Sequence, residues 1–470
     1  MEIGKGGGSS VNINASWLFL SLMYLVQGIP LGLAAGSVSY LLKSSMTYSE
    51  VAIFSFATWP YALKLFWSPV VDGFYWSKLG RRRSWILPVQ ILIGLTMIYI
   101  SQWIDCYLPG EECSTQGPRP EAPGIRFITF WFFILVLLSA TQDIALDGWA
   151  LELLPESDRH LASSAQTMGL TGGFFLSFTV LLSLSSRAFV REWLPFLEGP
   201  PITISGYIRY AGIAAATMSV FVLLVPEYPP TEELDVMDVY RKLVSVVISR
   251  RDLLLVLLVH KLGFVANDAA SSLLLLERGF RREDFALTAM LDFPVQLVVG
   301  LIVTRWSKKR NPVQPWVTGQ LMRLALCFIM NVFIYYAVGR TSGLEAFFPL
   351  VVSLSILTSV AGTVMFISQG AFFAVISDSA IGGSYQTLLN TFSNFGGTWP
   401  KFFVLRAIDY FNVEVCDSMS NCVRTREGYV PVSFATVSLG ALLFAFLVRP
   451  RIQDLVQSNR NSAVAKDKMS

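Results

Sequence analysis

Long apolar runs separated by short polar segments dominate this chain. The runs are about 20 residues long, the length at which a helix crosses the roughly 30 Å hydrocarbon core of a bilayer. A transmembrane β-barrel would instead show short segments of alternating hydrophobicity. The pattern predicts an all-α polytopic membrane protein with twelve spans, numbered in chain order: 17–42, 50–76, 85–104, 125–151, 161–185, 207–225, 251–276, 284–304, 316–339, 347–376, 382–409 and 429–448.

The composition fits that interpretation. Hydrophobic residues make up 53% of the 470 residues and charged residues 15%, with a mean hydropathy of +0.53. Soluble domains carry about 25% charged residues. The net charge of +3 is small. It gives no sign of a nucleic-acid partner, and the lipid bilayer is the expected surrounding.

The longest polar break divides the spans into six and six. The predicted organisation is a flexible cytosolic N-terminus, an N-terminal six-helix bundle, a cytosolic linker, a C-terminal six-helix bundle and a cytosolic tail, at 1–16, 17–225, 226–250, 251–448 and 449–470.

Short repeated fragments relate the two halves. "WSK" occurs at 76–78 and again at 306–308, while "SAQT" at 164–167 matches "SYQT" at 384–387. Both pairs join a span to the one six places later. That register is expected of a duplicated six-span unit, the pattern of major-facilitator transporters, and it predicts the major-facilitator fold.

Charge and cysteine positions suggest an orientation. Basic clusters at 78–83, at 305–310 and in the C-terminal tail place both termini in the cytosol. Two pairs of cysteines then fall in outer loops: Cys106 with Cys113, and Cys416 with Cys422. Paired cysteines on one face indicate an oxidising compartment there, and the short spacings predict one disulfide within each loop. Four unpaired thiols are the alternative.

Several charges lie inside the spans. A charge at mid-bilayer costs about 2.5–3.5 kcal/mol, so it usually faces a cavity or a partner. Lys64, Asp143, Lys261 and Arg323 lie at overlapping depths, as counted from about 1.5 Å rise per residue, and are expected to line one central chamber. Asp143 is either an ion-pair partner of Lys64 or a group that binds a proton or substrate.

An inner gate is predicted where spans 2 and 4 end. Asp147 shares a helix face with Asp143 but lies about 6 Å from the inner end of its span. In the outward-open state, we expect Asp72 or Asp147 to pair with one of the arginines that follow span 2, namely Arg81, Arg82 and Arg83. For Asp147, pairing with an arginine is the favoured interpretation.

Other polar and aromatic residues are candidate ligands. Gln27, Asn390 and Asn394 are polar within apolar spans, while Trp59 and Trp399 precede prolines and either stack on a planar ligand or pack. The sequence contains no GxSxG, Walker, CxxC or HExxH motif. It therefore predicts no enzyme, no metal site and no cofactor.

Four segments carry a family resemblance: "LVQGIPLGL" (25–33), "LKLFWSPVVDGFYWSKLGRRRSWILPVQ" (63–90), "ATQDIALDGWAL" (140–151) and "IGGSYQTLLNTFSNFGGTWP" (381–400). They closely resemble the acetyl-coenzyme A transporter family of the major facilitator superfamily. Bacterial muropeptide permeases share the spacing from Asp72 to Gly80 before "RRR". The usual major-facilitator loop places its glycine closer to the aspartate, so this chain departs from the general pattern.

The resemblance implies import of cytosolic acetyl-CoA into the endoplasmic reticulum lumen, where acetyltransferases use it. Acetyl-CoA carries about four negative charges, which Lys64, Lys261 and Arg323 would oppose, with Lys401 as an outer contact. Adenine would stack on Trp59 or Trp399, and the pantetheine arm would bind Asn390 and Asn394. The C-terminal "KDKMS" is similar to a dilysine retrieval signal and is otherwise a basic solvated tail.

Alternatives remain open at this point. One is a proton-coupled permease for another large anion such as a muropeptide, and a less favoured one is a membrane-embedded acyltransferase. Uniport, exchange for CoA and proton coupling are all compatible with the sequence, as is a homo-oligomer.

Overall fold

The computed structural model describes residues 13–43, 53–54, 56–107, 124–225, 227, 235–271, 274–275, 282–309, 313–338, 347–416 and 422–454. Helices occupy each of the twelve predicted spans within these ranges. In the described part of the chain, eight helical segments are long and apolar enough to cross a membrane: Ile13–Ser37, Arg83–Ile100, Ile125–Leu153, His160–Ser185, Ile204–Leu224, Val313–Tyr336, Phe348–Ile376 and Tyr429–Asp454. They correspond to spans 1, 3, 4, 5, 6, 9, 10 and 12. Span 8 is also one helix, Arg282–Lys309, with charged residues at both ends.

Spans 2, 7 and 11 are broken helices. Their segments are Phe56–Thr58, Trp59–Leu63, Lys64–Phe66 and Ser68–Gly73 in span 2, Arg251–Val259, Leu262–Phe264 and Asn267–Ser271 in span 7, and Gly382–Gly396 and Trp399–Phe411 in span 11. Pro60, Pro69 and Pro400 each lie in the first turn of a segment. Backbone N–H groups there have no acceptor within the helix, so proline removes no helical hydrogen bond. Lys64 and Lys261 both lie at such interruptions.

Close packing of spans 1 and 5 positions the polar residues of span 1. A Cβ atom on Gly28 would lie 2.5 Å from Leu170 O, and one on Gly169 would lie 2.5 Å from Ser21 O. Only glycine permits this approach of two helix backbones. The contact fixes the rotation of span 1, so that Tyr24 and Gln27 are directed towards span 4.

The chain forms two compact units. The first unit comprises Met1–Leu243 and Ala374–Thr387, and the second comprises Val244–Phe373 and Leu388–Ser470. The beginning of span 11 thus belongs to the first unit. Buried apolar residues such as Phe132 and Trp149 form the core of the first unit, and residues such as Phe333 form that of the second.

Part of the segment predicted as a linker is helical. Val236–Ser249 forms a helix, with Val239 and Leu243 buried. It contacts span 2, because the Tyr240 hydroxyl donates to Phe66 O at 2.5 Å and a Cβ on Gly73 would lie 2.6 Å from Val236 Cα. The spacing of its apolar residues is that of an amphipathic helix.

A short hairpin follows span 11. Strand β1, Val413–Cys416, pairs antiparallel with strand β2, Cys422–Arg426, and the register places Cys416 opposite Cys422. A bond between these two cysteines stays a prediction. Cys106 is disulfide-bonded, whereas its predicted partner Cys113 and the C-terminal "KDKMS" lie outside the described residues.

Candidate functional site

A buried polar cluster forms in the first unit around span 4. The Lys64 ammonium donates to Asp143 Oδ2, and the two residues are 4% and 0% exposed. The same ammonium lies 4.8 Å from the centroid of the Tyr61 ring. Of the two roles considered for Asp143, the structure shows the ion pair with Lys64.

Asp147 is bound differently from the expectation. Its Oδ1 accepts hydrogen bonds from the Tyr24 hydroxyl at 2.7 Å and from Gln166 Nε2 at 2.9 Å. The prediction that Asp147 pairs with an arginine is therefore wrong for this structure. The reason is geometric: its helix face contacts spans 1 and 5, while the arginines are held by other acceptors. We call Tyr24, Tyr61, Lys64, Asp143 and Asp147 the span 4 cluster.

Among the described residues, no hydrogen-bond partner is found for three buried oxygen atoms of the span 4 cluster. They are Asp143 Oδ1, Asp147 Oδ2 and the Tyr61 hydroxyl, which lies beside Asp143 without a hydrogen bond of ordinary geometry. Buried polar atoms are normally satisfied, so such atoms require an explanation. The cluster also contains two carboxyl groups and only one cation.

A second group of charges lies where spans 2 and 4 end, at the predicted inner gate. Asp72 Oδ1 accepts from Arg82 Nη1 at 2.6 Å and from Arg81 Nη2 at 3.4 Å. Arg82 also donates twice to Glu152 Oε1, at 2.9 and 2.6 Å. Arg81, Arg82 and Asp72 are at most 3% exposed. We call these four residues the inner cluster.

The inner cluster also holds the beginning of span 11. Ser384 N donates to Asp72 Oδ2 at 2.5 Å, and Arg81 Nη2 donates to Ala380 O at 2.5 Å. The helix begins at Gly382, so the Asp72 carboxylate lies at a helix N-terminus, where a negative charge is favourable.

The charges of the inner cluster shift its pKa values. Burial opposes ionisation of Arg82, but Glu152 and Asp72 more than offset it and raise the pKa of that guanidinium. Burial and the neighbouring charge of Arg82 lower the pKa of Arg81. Arg82 therefore acts as a fixed positive charge between two carboxylates.

Glu227 caps the helix of span 3. Its carboxylate accepts from Arg82 N at 2.6 Å and from Arg83 N at 3.1 Å, where the helix Arg83–Ile100 begins. Burial raises the pKa of Glu227. The carboxylate lies against Gly80, whose φ is +99°. The Arg83 side chain donates to the carbonyls of Leu223 and Val225.

A basic cluster forms in the second unit. Arg323 Nη2 pairs with Asp268 Oδ1 at 2.5 Å and lies over the Phe264 ring. Lys261 is partly buried, interacts electrostatically with Arg323, Asp268 and Lys401, and forms no ion pair within the described ranges. This basic cluster, Lys261, Arg323, Lys401 and Asp268, contains three cations and one carboxylate.

His260, beside Lys261, belongs to a buried network. Its Nδ1 lies 2.9 Å from Leu257 O and its Nε2 lies 3.3 Å from Gln369 Nε2. Ser393 donates to Gln369 Oε1 at 2.8 Å, and Gln320 donates to His260 O at 2.5 Å. Because both ring nitrogens have close polar neighbours inside this buried network, we assign His260 a structural role.

The remaining predicted ligands lie in both units, with Gln27 and Trp59 in the first and Asn390, Asn394 and Trp399 in the second. Gln27 is fully buried and donates to Ser139 O at 3.0 Å, and Trp399 donates to Leu258 O at 3.0 Å. Trp59 is half-exposed beside Phe56. Asn390 is partly buried and Asn394 is exposed.

Sequence reasoning missed four partners of the predicted residues: Tyr24, Tyr61, Glu152 and Glu227. Only Glu227, in an acidic stretch after span 6, carried a visible signal as a partner for the arginines. The two tyrosines resemble ordinary aromatic residues of apolar spans, and nothing in their spacing indicates that they face a carboxylate.

Comparison with known proteins places these features in context. The family model described as "Acetyl-coenzyme A transporter 1" matches residues 16–238, 227–314 and 312–462. An uncharacterised protein of Schizosaccharomyces pombe is 34% identical over 464 residues, covering 94% of this chain and 87% of its own. An uncharacterised membrane protein of Saccharomyces cerevisiae is 32% identical over 545 residues, with 96% and 97% covered.

More distant matches agree on the class of protein. The anhydromuropeptide permease of Escherichia coli K12 is 25% identical over 169 residues, 36% of this chain and 31% of its own. The structure of a major-facilitator transporter, FucP, in the outward conformation matches with a TM-score of 0.58 at 13% identity, covering 93% of this chain and 98% of that one. The chain therefore has the major-facilitator fold, and its family and structural neighbours are transporters, not enzymes.

Proposed function

The chain belongs to the acetyl-coenzyme A transporter family, and from that premise we propose that it moves acetyl-CoA from the cytosol into the endoplasmic reticulum lumen by alternating access. As a member of this family, the chain is a multi-pass membrane transporter for a small molecule. The proposal adds the identity of the substrate, the membrane and the direction.

The basic cluster of the second unit is the observation that carries the proposal. Lys261 forms no ion pair among the described residues, and Arg323 and Lys401 add two positive charges against Asp268 alone. An uncompensated ammonium inside a span is costly unless a ligand neutralises it. A substrate with several phosphate charges meets that need, and Lys presents a compact charge suited to phosphate.

The first unit also contains a cation and an exposed aromatic ring that suit a ligand of this chemistry. Lys64 is held charged by Asp143, so an arriving phosphate replaces one anionic partner with another. Trp59 is 51% exposed and offers a ring face for adenine. Trp399, in the second unit, is partly buried and its indole N–H is already bonded to Leu258 O, which favours packing over stacking on adenine for this residue.

Two observations support the compartment and direction. Cys106 is disulfide-bonded in a loop predicted to lie outside the cytosol, as expected where that loop meets an oxidising lumen. The loops at the opposite ends of the spans are rich in Lys and Arg, which is typical of loops on the cytosolic side of a membrane. Both termini are then cytosolic.

Uptake by purified protein tests the proposal. Proteoliposomes should accumulate labelled acetyl-CoA, and CoA loaded inside should accelerate entry if the protein exchanges the two. Lys261→Ala should reduce uptake, whereas Arg241→Ala, at an exposed residue of the linker helix, should not. No uptake of acetyl-CoA by folded protein would reject the proposed substrate.

A muropeptide or another large anion is the second candidate, because the Escherichia coli relative is an anhydromuropeptide permease. That relative covers 36% of this chain, whereas the acetyl-coenzyme A transporter model extends over nearly all of it. Competition for uptake separates the two: unlabelled CoA should inhibit acetyl-CoA entry, and an anhydromuropeptide should not.

A further inference from the structure

The span 4 cluster has an unbalanced charge. Asp143 and Asp147 are 0% and 5% exposed, and among the described residues Lys64 is the one cation that contacts either carboxyl group. With both carboxyl groups ionised, a buried site would hold a net negative charge within a membrane span. Desolvation and repulsion between two nearby carboxylates both oppose that state.

The hydrogen bonds show where a neutralising proton would sit. Lys64 occupies Asp143 Oδ2, which marks Asp143 as the ionised member of the pair. Within the described part of the chain, no cation pairs with Asp147 and no group hydrogen-bonds to its Oδ2, so that oxygen can carry a proton. Its Oδ1 still accepts from Tyr24 and Gln166 in the protonated form.

The groups that face Asp147 come from four helices. They are Tyr24 of span 1, Tyr61 and Lys64 of span 2, Asp143 of its own span 4 and Gln166 of span 5. Arg82 lies against Gly148, but its guanidinium donates to Asp72 and Glu152. No second cation therefore reaches Asp147 within the described residues.

We propose that the span 4 cluster is a proton-binding site: Asp147 carries one proton at rest, and Asp143 takes up a second when a substrate anion binds Lys64. The anion removes the cation that keeps Asp143 ionised, so anion and proton bind together. The second proton comes from water on the side where substrate enters and returns to water where substrate leaves. Transport is then coupled to protons, and this coupling rests on the proposed function. The proton that Asp147 carries at rest does not depend on that function.

Infrared spectroscopy of the purified protein tests the resting proton without any substrate. The C=O stretch of a protonated carboxyl should be lost in Asp147→Asn. It should also be lost in Asp143→Asn, because Lys64 would then pair with Asp147. In Lys64→Gln the signal should roughly double, since two carboxyl groups remain without a cation.

The matched control is Asp252→Asn, whose carboxylate is half-exposed and paired with Arg451; it should leave the signal unchanged. A wild-type signal that neither aspartate variant reduces would overturn the site. So would a signal that disappears on adding Na⁺, because a metal cation would then neutralise the cluster.

Proton uptake on adding acetyl-CoA in weak buffer tests the coupling. About one proton should be taken up per molecule bound. Binding without proton uptake would overturn coupling. If acetyl-CoA does not bind but the infrared pattern holds, the proton site stands and the proposed function fails.

Discussion

Ser384 donates its backbone N–H to the Asp72 carboxylate at 2.5 Å, across 312 residues of sequence. Asp72 also binds Arg81 and Arg82, so one buried carboxylate joins the loop after span 2 to the beginning of span 11. In an alternating-access transporter, a contact of this kind must form in one state and break in another. The gating role given to Asp72 and the three arginines stays a prediction.

Asp72→Ala should strongly destabilise this structure. The substitution removes one hydrogen-bond acceptor from the buried guanidinium groups of Arg81 and Arg82. It also removes the negative charge at the N-terminus of the span 11 helix. Breaking a buried pair in this way costs about 3–5 kcal/mol. Thermal unfolding in detergent should show a clear fall in Tm, and hydrogen exchange at the Ser384 amide should accelerate.

Asp238→Ala provides the control for that experiment. Asp238 pairs with Arg241 at 3.0 Å, but their side chains are 45% and 74% exposed. Such a pair contributes roughly 0–1 kcal/mol. Equal Tm values for Asp72→Ala and Asp238→Ala would show that the inner cluster does not stabilise this state.

Gly80→Ala should destabilise the same loop for a different reason. The φ of +99° is unfavourable for a residue with a Cβ atom, which costs about 1–2 kcal/mol, and that atom would displace the Glu227 carboxylate. Gly199→Ala is a suitable comparison, because nothing lies within 4 Å of the Cβ position there. Only Gly80→Ala should lower the Tm.

Glu227 should make stability depend on pH. Burial raises its pKa above the ordinary 4.5, so the folded protein binds more protons there than the unfolded chain does. The stabilisation is therefore fully present below pH 4.5 and is lost as the pH rises through the raised pKa. Glu227→Gln cannot titrate. The Tm of the wild type relative to this variant should fall as the pH rises, and a constant difference would contradict the assignment.

The cysteine pairs lead to a chemical prediction. Peptide mapping without reduction should recover Cys106 linked to Cys113 and Cys416 linked to Cys422, because both pairs are close in sequence and the β1–β2 register places the second pair opposite each other. Free thiols at all four positions would remove the support for an oxidising lumen.

Much of the fold followed from the sequence because lipid imposes a simple rule. Backbone groups in hydrocarbon must bond within the helix, so apolar runs predict spans reliably. The burial of Lys64 with Asp143 also followed from depth along the helices. The partners of Asp147 could not be predicted from the sequence, because they depend on how the close contact at Gly28 and Gly169 sets the rotation of span 1. The helix at Val236–Ser249 was missed because its charges concealed a helical apolar pattern.

Lys64 and Lys261 should respond differently to substitution by alanine, although both should weaken acetyl-CoA binding by roughly ten- to a hundredfold. Lys261 has no carboxylate partner among the described residues, so Lys261→Ala should leave the Tm nearly unchanged.

Lys64→Ala leaves Asp143 buried without a cation and should destabilise the protein by up to about 3–5 kcal/mol. The loss should be smallest at low pH, where a proton on Asp143 replaces the missing charge. Adding Asp143→Ala to Lys64→Ala should restore stability, because both members of the pair are then gone, but it should not restore binding. A double-mutant cycle on Tm, with acetyl-CoA affinity measured on the same samples, separates the two roles. If Asp143→Ala instead lowers the Tm of Lys64→Ala by as much as it lowers the Tm of the wild type, the two residues act independently. The ion pair then does not hold the lysine in place.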